Sequence, residues 1–154
     1  MAKIYARIDE RLIHGQVTLA WKNAYQITRY IVVDDQVAQD AFRQKLLRAS
    51  DDTPAAFVTV RQAAQTIADH REDTLLVLAA GPMEIKTLAD QGVVFDLCNI
   101  GNMHMDHGRV QIGTSVAVSP EEKAALVELH RQGNPLEMRR YPDGEAEALD
   151  ALFE

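Results

Sequence analysis

A histidine followed by a glycine, with an arginine three residues before it, is the most reactive arrangement in this chain, within Arg7-Ile8-Asp9-Glu10-Arg11-Leu12-Ile13-His14-Gly15-Gln16-Val17. An imidazole attacks through a ring nitrogen that carries no proton, so chemistry at His14 needs a neighbour that fixes tautomer and orientation. Asp9 and Glu10 are the carboxylates at hand. The helix expected to follow offers free backbone N–H groups and the positive end of its dipole to an anion. Gly15 lets the backbone come close, and Arg11 can hold two phosphate oxygens at once. His14, Arg11 and Asp9 are therefore the candidate catalytic group for phosphoryl transfer, a reaction of positioning and charge stabilisation that requires no metal or cofactor. The bland alternative is a histidine that caps the helix or packs in the core.

A second cluster, Asn99-Ile100-Gly101-Asn102-Met103-His104-Met105-Asp106-His107-Gly108-Arg109, mixes imidazole and carboxylate. It has three readings: a wall of the same phosphate-bearing cleft, a partner-contact loop, or a metal- or ligand-binding regulatory loop built on His104 to His107. Three-residue histidine spacing in a loop lacks the rigid geometry of a helical pair, which favours the wall or the partner contact and no metal. Asp34-Asp35 ends a strand and fits a turn and cap better than a cation corner. Cys98, between Leu97 and Asn99-Ile100, fits a packing residue better than a nucleophile. No Walker-type or GxGxxG run is present, so nucleotide binding is disfavoured.

The elements that position these groups alternate. Ile4, Ala6 and Ile8 follow a strand period, and from Val17 the period changes, with Ala20, Trp21, Ala24 and Tyr25 on one helix face. Tyr30 to Val33 predicts a second strand, followed by a helix with Ala38, Ala41, Phe42, Leu46 and Ala49 along one side. Strands are expected at Ala55 to Val60, Thr74 to Ala79 and Val93 to Ile100, with helices at Arg61 to Asp69 and from Gly81-Pro82 through Ala89. Asn99 to Gly108 reads as a loop and Val110 to Val118 as a strand. Ser119-Pro120-Glu121-Glu122 is a strong helix start. Leu136 to Tyr141 closes as a strand and Ala146 to Phe153 as a short helix.

This pattern predicts an α/β fold: an open, mostly parallel central sheet with helices on both faces, in a single domain over 1–154. Ligands in such sheets gather at the carboxyl ends of the strands, which selects Asp9 to Gly15 and Asn99 to Gly108. A chain of 154 residues, 47% hydrophobic and 25% charged, is long enough for one core and is not disordered. Its net charge of −7 argues against nucleic acid as a partner and against a broad basic surface for duplex DNA or anionic lipid. The longest strictly apolar run, Leu75 to Ala80, is too short to cross a bilayer. With no secretory pattern at the start and one cysteine, a cytoplasmic protein is expected.

The run from Arg7 to Val17 resembles the active-site signature of the cytoplasmic IIB component of the mannose/fructose/sorbose family of the phosphoenolpyruvate-dependent sugar phosphotransferase system. Trp21, Arg29-Tyr-Ile-Val-Val33, Asn99-Ile-Gly101 with Met103, and Ser115-Val-Ala-Val-Ser119 extend the resemblance over essentially the whole chain. The resemblance implies a protein-Nπ-phosphohistidine–sugar phosphotransferase. His14 would take phosphate from a histidine of the IIA partner and pass it to a hexose or amino sugar held by membrane IIC and IID subunits. It implies a phosphocarrier that sits at the inner face of the membrane through IIC and IID and commonly forms a homodimer. It adds Gly15, Gln16 and Arg29 as supports for the phosphate, with Asn99, Gly101 and Asn102 as a cleft wall. Glu10 stands where the family usually has Asp. Asn102 replaces a frequent second glycine, a form similar to the N-acetylgalactosamine and galactosamine branch. Such a carrier must present its histidine on an exposed loop.

Overall fold

The computed structural model describes residues 2–49 and 51–154, with the Gln16 side chain outside that description. Along the chain come β1 (Ile4–Asp9), α1 (Gly15–Tyr25), β2 (Arg29–Val33), α2 (Ala41–Arg48), β3 (Ala55–Val58), α3 (Val60–Asp69), β4 (Leu75–Ala79) and α4 (Pro82–Asp90). They are followed by β5 (Leu97–Asn102), β6 (Val110–Gly113), β7 (Val116–Val118), α5 (Pro120–Arg131) and β8 (Leu136–Met138). Six strands form one sheet in the order β3-β2-β4-β1-β5-β8, with every neighbouring pair parallel.

The strand order explains the layers. From β1 the chain steps toward β3, and from β3 it steps back past β1 to β8. Right-handed crossovers in opposite directions put their helices on opposite faces. Accordingly one core joins Leu12, Ile13, Trp21, Tyr30, Val32, Leu76 and Leu78. The other joins Ile8, Ile31, Val77, Ile85, Leu88, Ile100, Leu126 and Leu129 beneath α3, α4 and α5. Successive strand residues alternate between the two, as Tyr30 and Ile31 do. At β1 the chain leaves for one face while its neighbours β4 and β5 leave for the other. Their parting opens a crevice at the carboxyl end of β1, the place such sheets use for ligands.

Several elements depart from the sequence pattern, each for a tertiary reason. β5 runs on to Asn102, so Asn99 to Asn102 are strand and not loop. Val110 to Val118 is not one strand: it folds back as an antiparallel hairpin, β6–β7, whose register shifts between Gln111 and Gly113, where Gly113 packs against the end of the Met138 side chain. The expected closing helix is only a 3-10 turn, Asp150–Leu152, since the Glu147 N–H is drawn into a bridge with the Met138 carbonyl at 2.7 Å. That bridge follows directly on β8, which stops at Met138. The helix after β2 is interrupted: a 3-10 turn, Val37–Gln39, precedes Asp40, whose carboxylate caps α2 by accepting the Arg43 N–H at 3.0 Å. The stripe of Phe42 and Leu46 on α2 faces outward.

Candidate active site

Asp9 ends β1 buried, and its position fixes the loop. Its Oδ1 accepts the Arg11 backbone N–H at 2.9 Å and its carbonyl accepts that of Leu12 at 2.9 Å, which turns the chain sharply. Leu12 adopts φ +58°, a left-handed conformation costly for a branched side chain, held by burial of that side chain in the core under α1. His14 is the N-cap of α1, yet its side chain makes no cap hydrogen bond. Its backbone N–H donates instead to Thr18 Oγ1 at 2.6 Å. Gly15 follows at φ +44°, with open space where a Cβ would stand. The imidazole is half-buried, so neither capping nor core packing explains it.

Arg11 reaches that imidazole, its Nη1 lying 2.9 Å from His14 Nε2. A guanidinium has only N–H donors, so Nε2 accepts and the ring proton resides on Nδ1. The sequence reading assigned ring orientation to Asp9 or Glu10; neither carboxylate touches His14. Asp9 grips Arg11 instead, through the backbone and through Nε at 3.4 Å, and the Arg11 side chain remains 45% exposed.

Behind Asp9 stands Arg7, which sequence reasoning passed over as part of a strand. It is 2% exposed. Its Nη2 pairs with Asp9 Oδ2 at 3.2 Å, its Nη1 donates to Asn99 Oδ1 and to the Arg139 carbonyl at 3.5 Å, and its guanidinium lies 4.9 Å from the Trp21 ring centroid. Burial pulls the Arg7 pKa down and Asp9 opposes that shift. Asn99 and Gly101, expected as a cleft wall, are buried beneath the loop as parts of this mount; Asn99 also donates Nδ2 to Glu137 at 2.9 Å. Asn102 alone of the three is partly exposed, and its carbonyl accepts the Glu10 N–H at 3.0 Å. The strand period could have revealed Arg7, since residues 7 and 9 share the face toward α1 and a charged pair there must be satisfied internally.

Glu10 serves a second network. It contacts His104, whose backbone N–H it also accepts at 3.0 Å, and pairs with Arg109 at 2.6 Å. Arg109 meets both oxygens of Glu122 at 3.0 and 2.9 Å, and Glu122 completes a capping box with Ser119 at the start of α5. Although burial pushes the Glu122 pKa up, Ser119 and Arg109 bring it below the ordinary value. The His104 loop is thus tied to the His14 loop through Glu10. Among the described residues no group of three His, Cys, Asp or Glu side chains is placed to hold a metal ion.

Arg29, expected beside the phosphate, stands at the amino end of β2, at the opposite end of the strands from the His14 loop, paired with Asp73 at 3.0 Å. A residue that starts a parallel strand cannot reach a loop that ends one. Gln16 opens α1 next to His14, and its side chain lies outside the described residues. Asp34 and Asp35 accept backbone N–H groups of Gln36, Val37 and Val60, as a turn and cap require. Burial pushes the Cys98 thiol up to about 12.

Beyond this geometry, the family profile described as "PTS system sorbose subfamily IIB component" matches residues 4–154. The chain belongs to that family. The fructose-specific EIIB component of Bacillus subtilis (strain 168) is 34% identical over 148 residues, spanning 94% of this chain and 91% of the relative. The mannose-specific EIIAB component of Escherichia coli (strain K12) is 32% identical over 139 residues, 88% of this chain and 43% of the relative. Among solved structures, the N-acetylgalactosamine-specific IIB component 1 from Escherichia coli superposes with a TM-score of 0.89 at 27% identity, covering 95% of this chain and 99% of that one. This IIB chain is therefore a sugar phosphotransferase component that takes its phosphoryl group from a IIA unit. No helix among the described residues is long and apolar enough to cross a membrane.

Proposed function

We propose that His14 is the residue on which this IIB component carries the phosphoryl group. It receives the group from a phosphohistidine of IIA in the cytoplasm and delivers it to a hexose or amino sugar presented by membrane IIC and IID subunits. The observation that carries the reading is the contact of Arg11 with His14 on a half-open loop at the start of α1. In the step itself a ring-nitrogen lone pair forms the new N–P bond while the N–P bond to the donor histidine breaks, and the donor ring keeps that electron pair.

Arg11 must leave Nε2 whichever ring nitrogen reacts. Attack through Nε2 spends its lone pair on phosphorus; attack through Nδ1 moves the ring proton to Nε2, which then no longer accepts. The freed guanidinium stays tethered by Asp9 and meets the phosphoryl oxygens, joined by the free N–H groups opening α1 at Gly15 and Gln16. A neutral ring changes to a phosphohistidine with its cation already in place. The test is sugar phosphorylation by membranes carrying the cognate IIC and IID with phosphorylated IIA. Wild type restores it and His14→Ala abolishes it; undiminished activity of the variant overturns the reading.

A further inference from the structure

Helix α2 wears its apolar stripe on the outside. Phe42 is 71% exposed and Leu46 57%, and with exposed Ala49 they follow the four- and three-residue spacing of one helix face. The inward side is made by Gln44, whose Nε2 donates to the Val37 carbonyl at 2.8 Å, and by Leu47, packed on the same cluster as Leu12 and Ile13 of the active loop. At 100° per residue, exposed Lys45 borders the stripe on one side and exposed Arg43 on the other.

The charge on this helix runs against that of the chain. Ala41–Arg48 holds Arg43, Lys45 and Arg48 and no acid, in a protein of net charge −7. Arg48 is engaged, donating to the Ala55 carbonyl at 3.1 Å and lying over Phe57. Of the acids nearest in sequence, Asp40 caps the helix, Asp51 is held by Tyr30 and Thr53, and Asp52 stands exposed past the helix end. Two solvated bases thus border two exposed apolar side chains.

We propose that α2 seats this protein on an anionic bilayer surface. Phe42 and Leu46 enter the headgroup boundary, while Arg43 and Lys45 pair with headgroup phosphates. Charge selects this occupant. A second copy seated on the same face by two-fold symmetry would bring the bases of one helix against those of the other, with no acid within either helix to receive them. An anionic headgroup layer takes both. The inference needs only lipid and stands or falls apart from the phosphotransfer reading.

The test is cosedimentation of the full chain with vesicles of phosphatidylcholine alone and of phosphatidylcholine with phosphatidylglycerol. The protein should sediment with the anionic vesicles at low salt, not with the neutral ones, and should be released by high salt. Arg43→Gln with Lys45→Gln should weaken binding roughly thirtyfold, at about one kcal/mol for each base near such a surface. Phe42→Ser with Leu46→Ser should weaken it as well, with both variants keeping the wild-type melting curve, since these side chains are exposed. Failure to bind anionic vesicles overturns the proposal, as does binding that neither variant alters. A concentration-dependent dimer that the Phe42→Ser, Leu46→Ser variant dissolves would overturn it in favour of a second copy.

Discussion

Gly101 and Arg7 compete for one space: a Cβ on Gly101 would stand 2.5 Å from the Arg7 guanidinium carbon and from Nη2. The glycine of β5 is therefore what admits a buried arginine under the active loop. Gly101→Ala should displace Arg7 and destabilise the fold by about 2–3 kcal/mol, the cost of overpacking a filled site. It should also slow phosphate uptake. Urea unfolding checks the first effect and uptake kinetics the second; wild-type behaviour in both would mean that Arg7 has room to move.

Arg7→Met should cost more, about 3–5 kcal/mol, because it takes from the buried Asp9 carboxylate its buried cation and leaves it only the long contact with exposed Arg11. Loss of Asp9 orientation should release Arg11 as well, so uptake should fall even where the protein remains folded at low temperature. A variant as stable as wild type in chemical denaturation would contradict the mount.

Arg11→Ala separates function from stability. Its side chain is 45% exposed, and its pairing with Asp9 Oδ1 is long, so the melting curve should move little. Phosphate uptake from IIA should drop about 10²- to 10³-fold, the usual loss when one preorganised donor is removed. Rapid-quench kinetics measures that drop, and an unchanged rate would remove Arg11 from the transfer step.

Arg109→Gln should loosen the loop that carries His104 and cost about 2 kcal/mol, since it strips charged partners from Glu10 and Glu122. Glu122 titrates below its ordinary value in the folded state, so its stabilising share is present above that ordinary value and is lost as pH falls through the depressed one. The variant should therefore show a flatter loss of stability in acid, measured by urea unfolding across pH. A slope as steep as that of wild type would contradict this.

Cys98 should resist thiol reagents in the native protein at pH 8. Burial raises its pKa from 9.0 to about 12, which keeps the folded thiol protonated. The unfolded thiol ionises first, so this group's contribution is complete below about pH 9 and is lost as pH rises toward 12. Modification should follow global unfolding, read by labelling in rising urea; fast native labelling would contradict the burial.

Much of the architecture was legible because local signals agreed with it. Leu75 to Ala79 is apolar enough for a central strand, and Ser119 with Glu122 marks the start of α5 before any packing is known. The active loop was legible because Asp9, Arg11, His14 and Gly15 are close in sequence and each type has a local role. What escaped depends on distant partners. Arg7 is understood only with Asn99, 92 residues away, and Glu10 only with His104, 94 away. Periodicity showed that α2 has an apolar face but not which way that face turns. Arg29 was set beside the phosphate by its motif position in the resemblance, which does not tell which end of its strand it occupies.

The central claim is that, of five histidines, His14 carries the phosphoryl group. Phosphopeptide mapping after loading from IIA, with base quench to keep the N–P bond, tests it most directly. One phosphate per chain on the peptide containing His14, released by acid, is the expected result. Phosphate on the peptides of His70, His104, His107 or His130, with none on His14, would contradict the account.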